Sequence, residues 1–69
     1  MQNQSFSPRD RLLTEQQVAE WLCTSVAWLQ RNRWAGVGIP YRELGRIVRY
    51  AESDVLAYIE ASKRDSTAA

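Results

Sequence analysis

Residues 39–50 read Ile39-Pro40-Tyr41-Arg42-Glu43-Leu44-Gly45-Arg46-Ile47-Val48-Arg49-Tyr50. Two extended runs flank Gly45-Arg46. A two-residue Gly-X loop is the sequence of a type II′ hairpin, because glycine supplies the positive φ at its first central position. That register pairs Leu44 with Ile47, Arg42 with Arg49 and Tyr41 with Tyr50. Tyr41, Glu43, Val48 and Tyr50 then share one face, and Arg42, Leu44, Ile47 and Arg49 the other. Facing arginines repel, so this pairing is more natural with an external anion against that face. A lone hairpin is marginal in water. It must pack on helices, and the flanking sequence supplies them.

Upstream, Thr14-Glu15-Gln16-Gln17 fits a capping box, with a hydroxyl at the N-cap and a Gln three residues later. Glu15 lies in the first turn, where the helix dipole favours an acid. Val18, Trp21 and Leu22 then recur at helical spacing, with Ala19 alongside, and the helix should end near Leu22 or Cys23. Ser25 is a good N-cap for a second helix with Val26 and Leu29 inward. It should run to about Arg33 or Trp34, where Gly36 and Gly38 stop it. Two helices this close in sequence sit at a steep angle, as in a helix-turn-helix. Downstream of the hairpin, Glu52 and Asp54 place acids in the first turn of a third helix carrying Val55, Leu56, Tyr58 and Ile59. Lys63 and Arg64 complement its C-terminal end. The expected fold is mostly α with a small β-hairpin: helix, helix, two-stranded wing, helix. Residues 1–11 read as a disordered polar arm, 12–63 as the domain and 64–69 as a disordered tail.

The chain has 69 residues. A domain of this size buries only about 60% of its unfolded surface, and its core supplies roughly 3–5 kcal/mol. A deep pocket would consume that core. Histidine is absent and Cys23 stands alone, so neither an internal disulfide nor a Cys/His metal site is expected. No nucleophile–base pair and no glycine-rich phosphate loop occurs. Glu52 and Asp54 are neighbours that helix capping explains. No enzyme activity and no cofactor are expected. No apolar run approaches the roughly 18 residues of a membrane span, and no apolar leader stands at the N-terminus. The expected setting is cytoplasmic and reducing.

The net charge of +1 hides a segregation. Between residues 28 and 50, Arg31, Arg33, Arg42, Arg46 and Arg49 stand against Glu43 alone, which leaves +4. The remainder holds Arg9, Arg11, Lys63 and Arg64 against seven acids and nets −3. Every cation of the middle segment is arginine, the side chain shaped for paired contacts with phosphate and guanine.

These stretches, in this order, resemble the MerR-like and excisionase-like winged helix-turn-helix family. The likeness runs from about Leu12 to Ala61. Leu13 through Leu22 is similar to the family's opening helix. Ser25, Leu29 and Arg33, followed by Gly36 and Gly38, are similar to its second helix and glycine-punctuated loop. Pro40-Tyr41, Leu44 through Tyr50 and Asp54 through Ile59 are similar to its wing and closing helix. The chain departs where the family often has glycine (Cys23), an aromatic (near Asn32) and a second proline (Ile39). Trp28 and Trp34 are candidates to fill the place near Asn32.

The resemblance implies a DNA-binding module, with the second helix in the major groove and the wing in a neighbouring minor groove. Many members are excisionases, or recombination directionality factors. They bind repeated sites beside an integrase site, often head to tail, and bend the DNA so that a mobile element is excised. The integrase partner is of the tyrosine or serine type. Others are small prophage regulators of transcription, and an adaptor that lost DNA binding is a remoter reading. The implied setting is prokaryotic or phage, on the nucleoid.

The major-groove set is Ser25, Ala27, Trp28, Gln30 and Arg31. Gln30 and Arg31 point away from Val26 and Leu29, where Arg reads guanine and Gln reads adenine; the plain alternative is a solvated face. Ala27 fits a thymine methyl or is simply a helix former. Ser25 caps the helix in either case, with a phosphate contact as a second role. Trp28 and Trp34 are read first as packing residues; exposure of either would point to a DNA backbone or a neighbouring protomer. The wing and backbone set is Arg33, Arg42, Arg46 and Arg49. Arg46, at the hairpin tip, suits a narrow minor groove. Arg42 and Arg49 suit phosphates, which position without specifying sequence. Arg33 is either a phosphate contact or an ion-pair partner of Glu52 or Asp54. Trp21 is assigned to the core, and Cys23 is read as a small buried residue.

Overall fold

The computed structural model describes residues 10–64. The order is β1 (Leu12–Leu13), α1 (Glu15–Trp21), α2 (Val26–Ala35), β2 (Arg42–Leu44), β3 (Ile47–Ala51) and α3 (Glu52–Ala61). Three helices accompany one small antiparallel sheet of order β1-β3-β2, an α+β arrangement. The arm over residues 1–9 and the tail over 65–69 lie outside the described residues.

Local chemistry sets the helix starts. The Thr14 hydroxyl accepts from Gln17 N–H at 3.1 Å, while Thr14 N–H donates to Gln17 Oε1 at 2.9 Å. This is the reciprocal capping box. Ser25 Oγ accepts from Trp28 N–H at 3.1 Å and opens α2. The two helices end alike. Cys23 N–H reaches Glu20 C=O and Thr24 N–H reaches Ala19 C=O at the end of α1; Gly36 N–H reaches Arg33 C=O and Val37 N–H reaches Asn32 C=O at the end of α2. These paired bonds form the Schellman pattern, whose penultimate residue is left-handed. Gly36 has φ +76°, and Cys23 has φ +57°. Cys23 is exposed, which corrects its expected burial.

The hairpin has the expected register: Arg42 opposite Arg49, Glu43 opposite Val48, Leu44 opposite Ile47. Gly45 has φ +64° and Arg46 does not have a positive φ, as a II′ turn requires. The ladder stops one pair short of Tyr41–Tyr50. Tyr50 pairs instead with Leu13, and Ala51 with Leu12, so β3 is the central strand. The Tyr41 and Tyr50 rings still meet, with centroids 6.4 Å apart. Strand β1 is an addition to the expected fold. It is two residues long, too short for any period to announce.

Beside β1, Glu52 N–H donates to Arg11 C=O at 2.8 Å. Ser53 N–H donates to Asp10 Oδ1 at 2.9 Å, and the Ser53 hydroxyl donates to Asp10 Oδ2. Asp10 thus caps α3 from 43 residues away, whereas Ala51, at the local N-cap position, has no capping side chain. Asp10 and Arg11, expected in the polar arm, are tied into the fold.

The core holds Leu13, Val18, Ala19, Leu29, Ile39, Tyr50 and Val55, with Leu22, Val26, Trp28, Val48, Tyr58 and Ile59 packed against it. Each element contributes to this cluster except β2, which is one of the two edge strands. Trp21, assigned to the core from its spacing, is 40% exposed. It lies at the last position of α1, where the chain turns away. Trp34, read as packing, is 76% exposed, and Trp28 packs edge-on against Tyr58 at 6.5 Å. The place near Asn32 is filled by the backbone: a Cβ on Gly38 (φ +89°) would lie 2.9 Å from Asn32 Cβ.

Candidate nucleic-acid interface

Ten residues of helix turn α2 nearly three times. Leu29 is buried and marks the inner side. Steps of 100° put Ala27, Arg31 and Trp34 opposite it, and all three are exposed. Gln30 and Arg33 fall on the flank toward α1.

That flank is occupied by an internal polar cluster. Glu15 Oε1 lies 3.4 Å from Arg33 Nη1, and Glu15 Oε2 accepts from Gln30 Nε2 at 3.4 Å. Arg33 Nη1 also donates to the Tyr50 hydroxyl at 2.9 Å, and its guanidinium lies 5.6 Å from the Tyr41 ring centre. Burial pulls the Arg33 pKa down, but the Tyr50 hydroxyl and the Glu15 carboxylate outweigh it, and the net shift is upward. The charge is thus held in the fold, with a side chain only 13% exposed. Arg33 is an ion-pair residue, as one of its two readings had it, but its partner is Glu15 and not Glu52 or Asp54. Gln30 is half-buried and engaged, so it does not project freely from α2.

The facing arginines of the wing also find protein partners. Arg42 Nη1 lies 3.4 Å from Asp54 Oδ2, near the start of α3. Arg49 Nη1 donates to Val48 C=O at 2.8 Å. The repulsion between them is relieved within the chain, so the fold needs no external anion there. Both are half-buried and keep part of their surface in solvent.

Arg31 and Arg46 differ from these three. Both are exposed, and neither has an ion pair or side-chain hydrogen bond among the described residues. Arg46 stands at the hairpin tip between Leu44 and Ile47, each 47% exposed. Ser25 is exposed with its hydroxyl committed to the cap. Trp28 belongs to the packing between α2 and α3, which removes it from the projecting set. Trp34 was missed as a surface residue. Its spacing of three from Arg31 and seven from Ala27 was the available signal, because i, i+4, i+7 is one helix face.

Open hollows mark the surface of the described residues. One, of about 400 Å³, is lined by Arg33, the Gly36–Tyr41 loop and nothing acidic. Another, of about 350 Å³, lies among Leu22, Thr24, Trp28, Tyr58, Ile59 and Ser62. Neither brings a base to a nucleophile. Among the described residues no three His, Cys, Asp or Glu side chains are grouped to hold a metal ion, and no helix is long and apolar enough to cross a membrane. Comparison with protein families, curated proteins and solved structures finds no match.

Proposed function

We propose that this chain is a winged helix-turn-helix DNA-binding protein of the MerR-like and excisionase-like kind, acting as an excisionase. It binds duplex DNA beside an integrase attachment site and bends it, so that a tyrosine or serine integrase excises a mobile element. It performs no chemistry itself, and it works in the cytoplasm on the nucleoid. One observation carries the reading. Of the five arginines in the basic segment, the two without an ion pair or side-chain hydrogen bond among the described residues stand on the two elements from which a winged helix reads DNA: Arg31 on α2 and Arg46 on the wing tip.

Helix α2 sets Ala27 and Arg31 toward base edges in the major groove, where a guanine offers Arg its two acceptors. Arg46 enters a neighbouring minor groove, whose negative potential is strongest where it is narrow. The exposed parts of Arg42 and Arg49 flank phosphates. A single module buries only about 600–1,000 Å² on DNA, so useful affinity comes from copies placed head to tail.

Excision of the host element, assayed with and without the protein, tests the role. Gel shifts test the binding: Arg31→Ala lowers affinity and relaxes sequence choice, by about 1–3 kcal/mol for a guanine contact. Unchanged affinity at low salt in both Arg31→Ala and Arg46→Ala would leave the fold as a protein–protein adaptor.

A further inference from the structure

We infer that Trp34 is a DNA-contact residue, laid on the sugar–phosphate wall beside the bases that Arg31 faces; the inference rests on the DNA-binding reading above. Trp34 is the most exposed of the large apolar side chains among the described residues, at 76%. It lies on the α2 face opposite Leu29, in one stripe with Ala27 and Arg31. A helix of ten residues is roughly 15 Å long, slightly more than the roughly 12 Å width of the major groove. From Ala27 to Trp34 is roughly 10 Å along the axis. With Ala27 and Arg31 over base edges, Trp34 reaches the edge of the groove, where deoxyribose carbons and phosphate oxygens form the wall. An indole suits that wall. Its ring covers apolar sugar, and its N–H, a donor only, meets a phosphate oxygen. The occupant is argued from charge. Arg31 shares the stripe, and with Arg33 and Arg42 paired to Glu15 and Asp54 Arg31 remains an exposed cation beside the indole, so a polyanion is favoured over a second copy stacked on the same face.

The test uses the full chain and a fluorescein-labelled duplex about two helical turns long, titrated between about 50 and 200 mM salt. Trp34→Ala is expected to weaken binding about tenfold, as loss of an interface Trp does, and equally on unrelated duplexes. Its salt slope stays at the wild-type value, because an indole releases no counterion, whereas Arg46→Ala flattens the slope by about one. Trp34→Phe regains most of the affinity. The tryptophan emission change on adding DNA disappears in Trp34→Phe, although Trp21 and Trp28 are intact. Wild-type affinity in Trp34→Ala, beside weakened binding in Arg46→Ala, overturns this inference and leaves the DNA reading standing. So does unchanged DNA affinity with reduced self-association in sedimentation, which makes Trp34 a contact between protomers. No duplex binding by the wild-type chain at low salt removes both.

Discussion

Arg33 lies in the most basic part of the chain, yet its charge belongs to the fold. Glu15, the Tyr50 hydroxyl and the Tyr41 ring surround it. Replacing it with Ala strands the Glu15 carboxylate and the hydroxyl of a tyrosine that is otherwise buried. Loss of one partner of a half-buried pair costs about 2 kcal/mol, so Arg33→Ala should lower the urea midpoint without changing its slope. Asp10 makes a pH prediction. Its hydrogen bonds from the Ser53 hydroxyl and then from Ser53 N–H, with a smaller contribution from the Arg42 charge, hold its pKa below the ordinary 3.8. A depressed carboxylate stabilises the fold above its unfolded value and loses that contribution as pH falls through the folded one. Thermal melts should therefore separate wild type from Asp10→Ala at neutral pH and draw together only as pH falls below the ordinary 3.8 toward the lowered folded value. Cys23, left-handed at φ +57°, stands where a Schellman ending favours glycine. Cys23→Gly relieves αL strain of about 1–2 kcal/mol against about 0.5–1 kcal/mol of added chain entropy, so a small rise in melting temperature is expected.

The elements divide by how far apart their determining residues lie. The capping box, the Ser25 cap and the Gly45-Arg46 turn each act within four residues, and all three were legible as written. The hairpin register followed from the turn alone. Strand β1 and the Asp10 cap join residues 10–13 to residues 50–53, and nothing local to Leu12-Leu13 signals a strand. The helix-ending loop was legible as a stop but not as a packed element. There Gly38 lies against Asn32, with φ +89° and no room for a Cβ. Gly38→Ala adds backbone strain to that clash and should cost about 2 kcal/mol, measured by denaturant melts. The candidate site residues follow the same division. The exposed positions of Arg46 at its turn and Arg31 on its helix face were readable from spacing. Gln30, Arg33, Arg42 and Arg49 were not, because their partners Glu15, Tyr50 and Asp54 lie on other elements, or on the arginine's own strand as Val48 C=O.

Over the whole molecule, the −3 remainder does more than offset the basic segment. Glu15 and Asp54 take up Arg33 and Arg42, which leaves fewer free cations than the count of five suggests. On the DNA-binding reading, the salt dependence of affinity should be correspondingly shallow. Arg46→Ala should flatten log K against log salt by about one, and Arg33→Ala should leave the slope unchanged. The free protein should sediment as a monomer, with copies adding cooperatively on a long duplex, because one module covers only a small footprint. Local spacing specifies the three helices, the caps of α1 and α2, the hairpin and its register, since these depend on residues a turn or less apart. The sequence by itself also bounded the core to one small cluster. Tertiary structure alone decided that the sheet has a third strand, that α3 is capped from the other end of the chain, and which arginines have no side-chain partner among the described residues. Those outcomes depend on which distant carboxylates, hydroxyls and strand edges packing brings within a few ångströms, a distance that linear spacing does not encode.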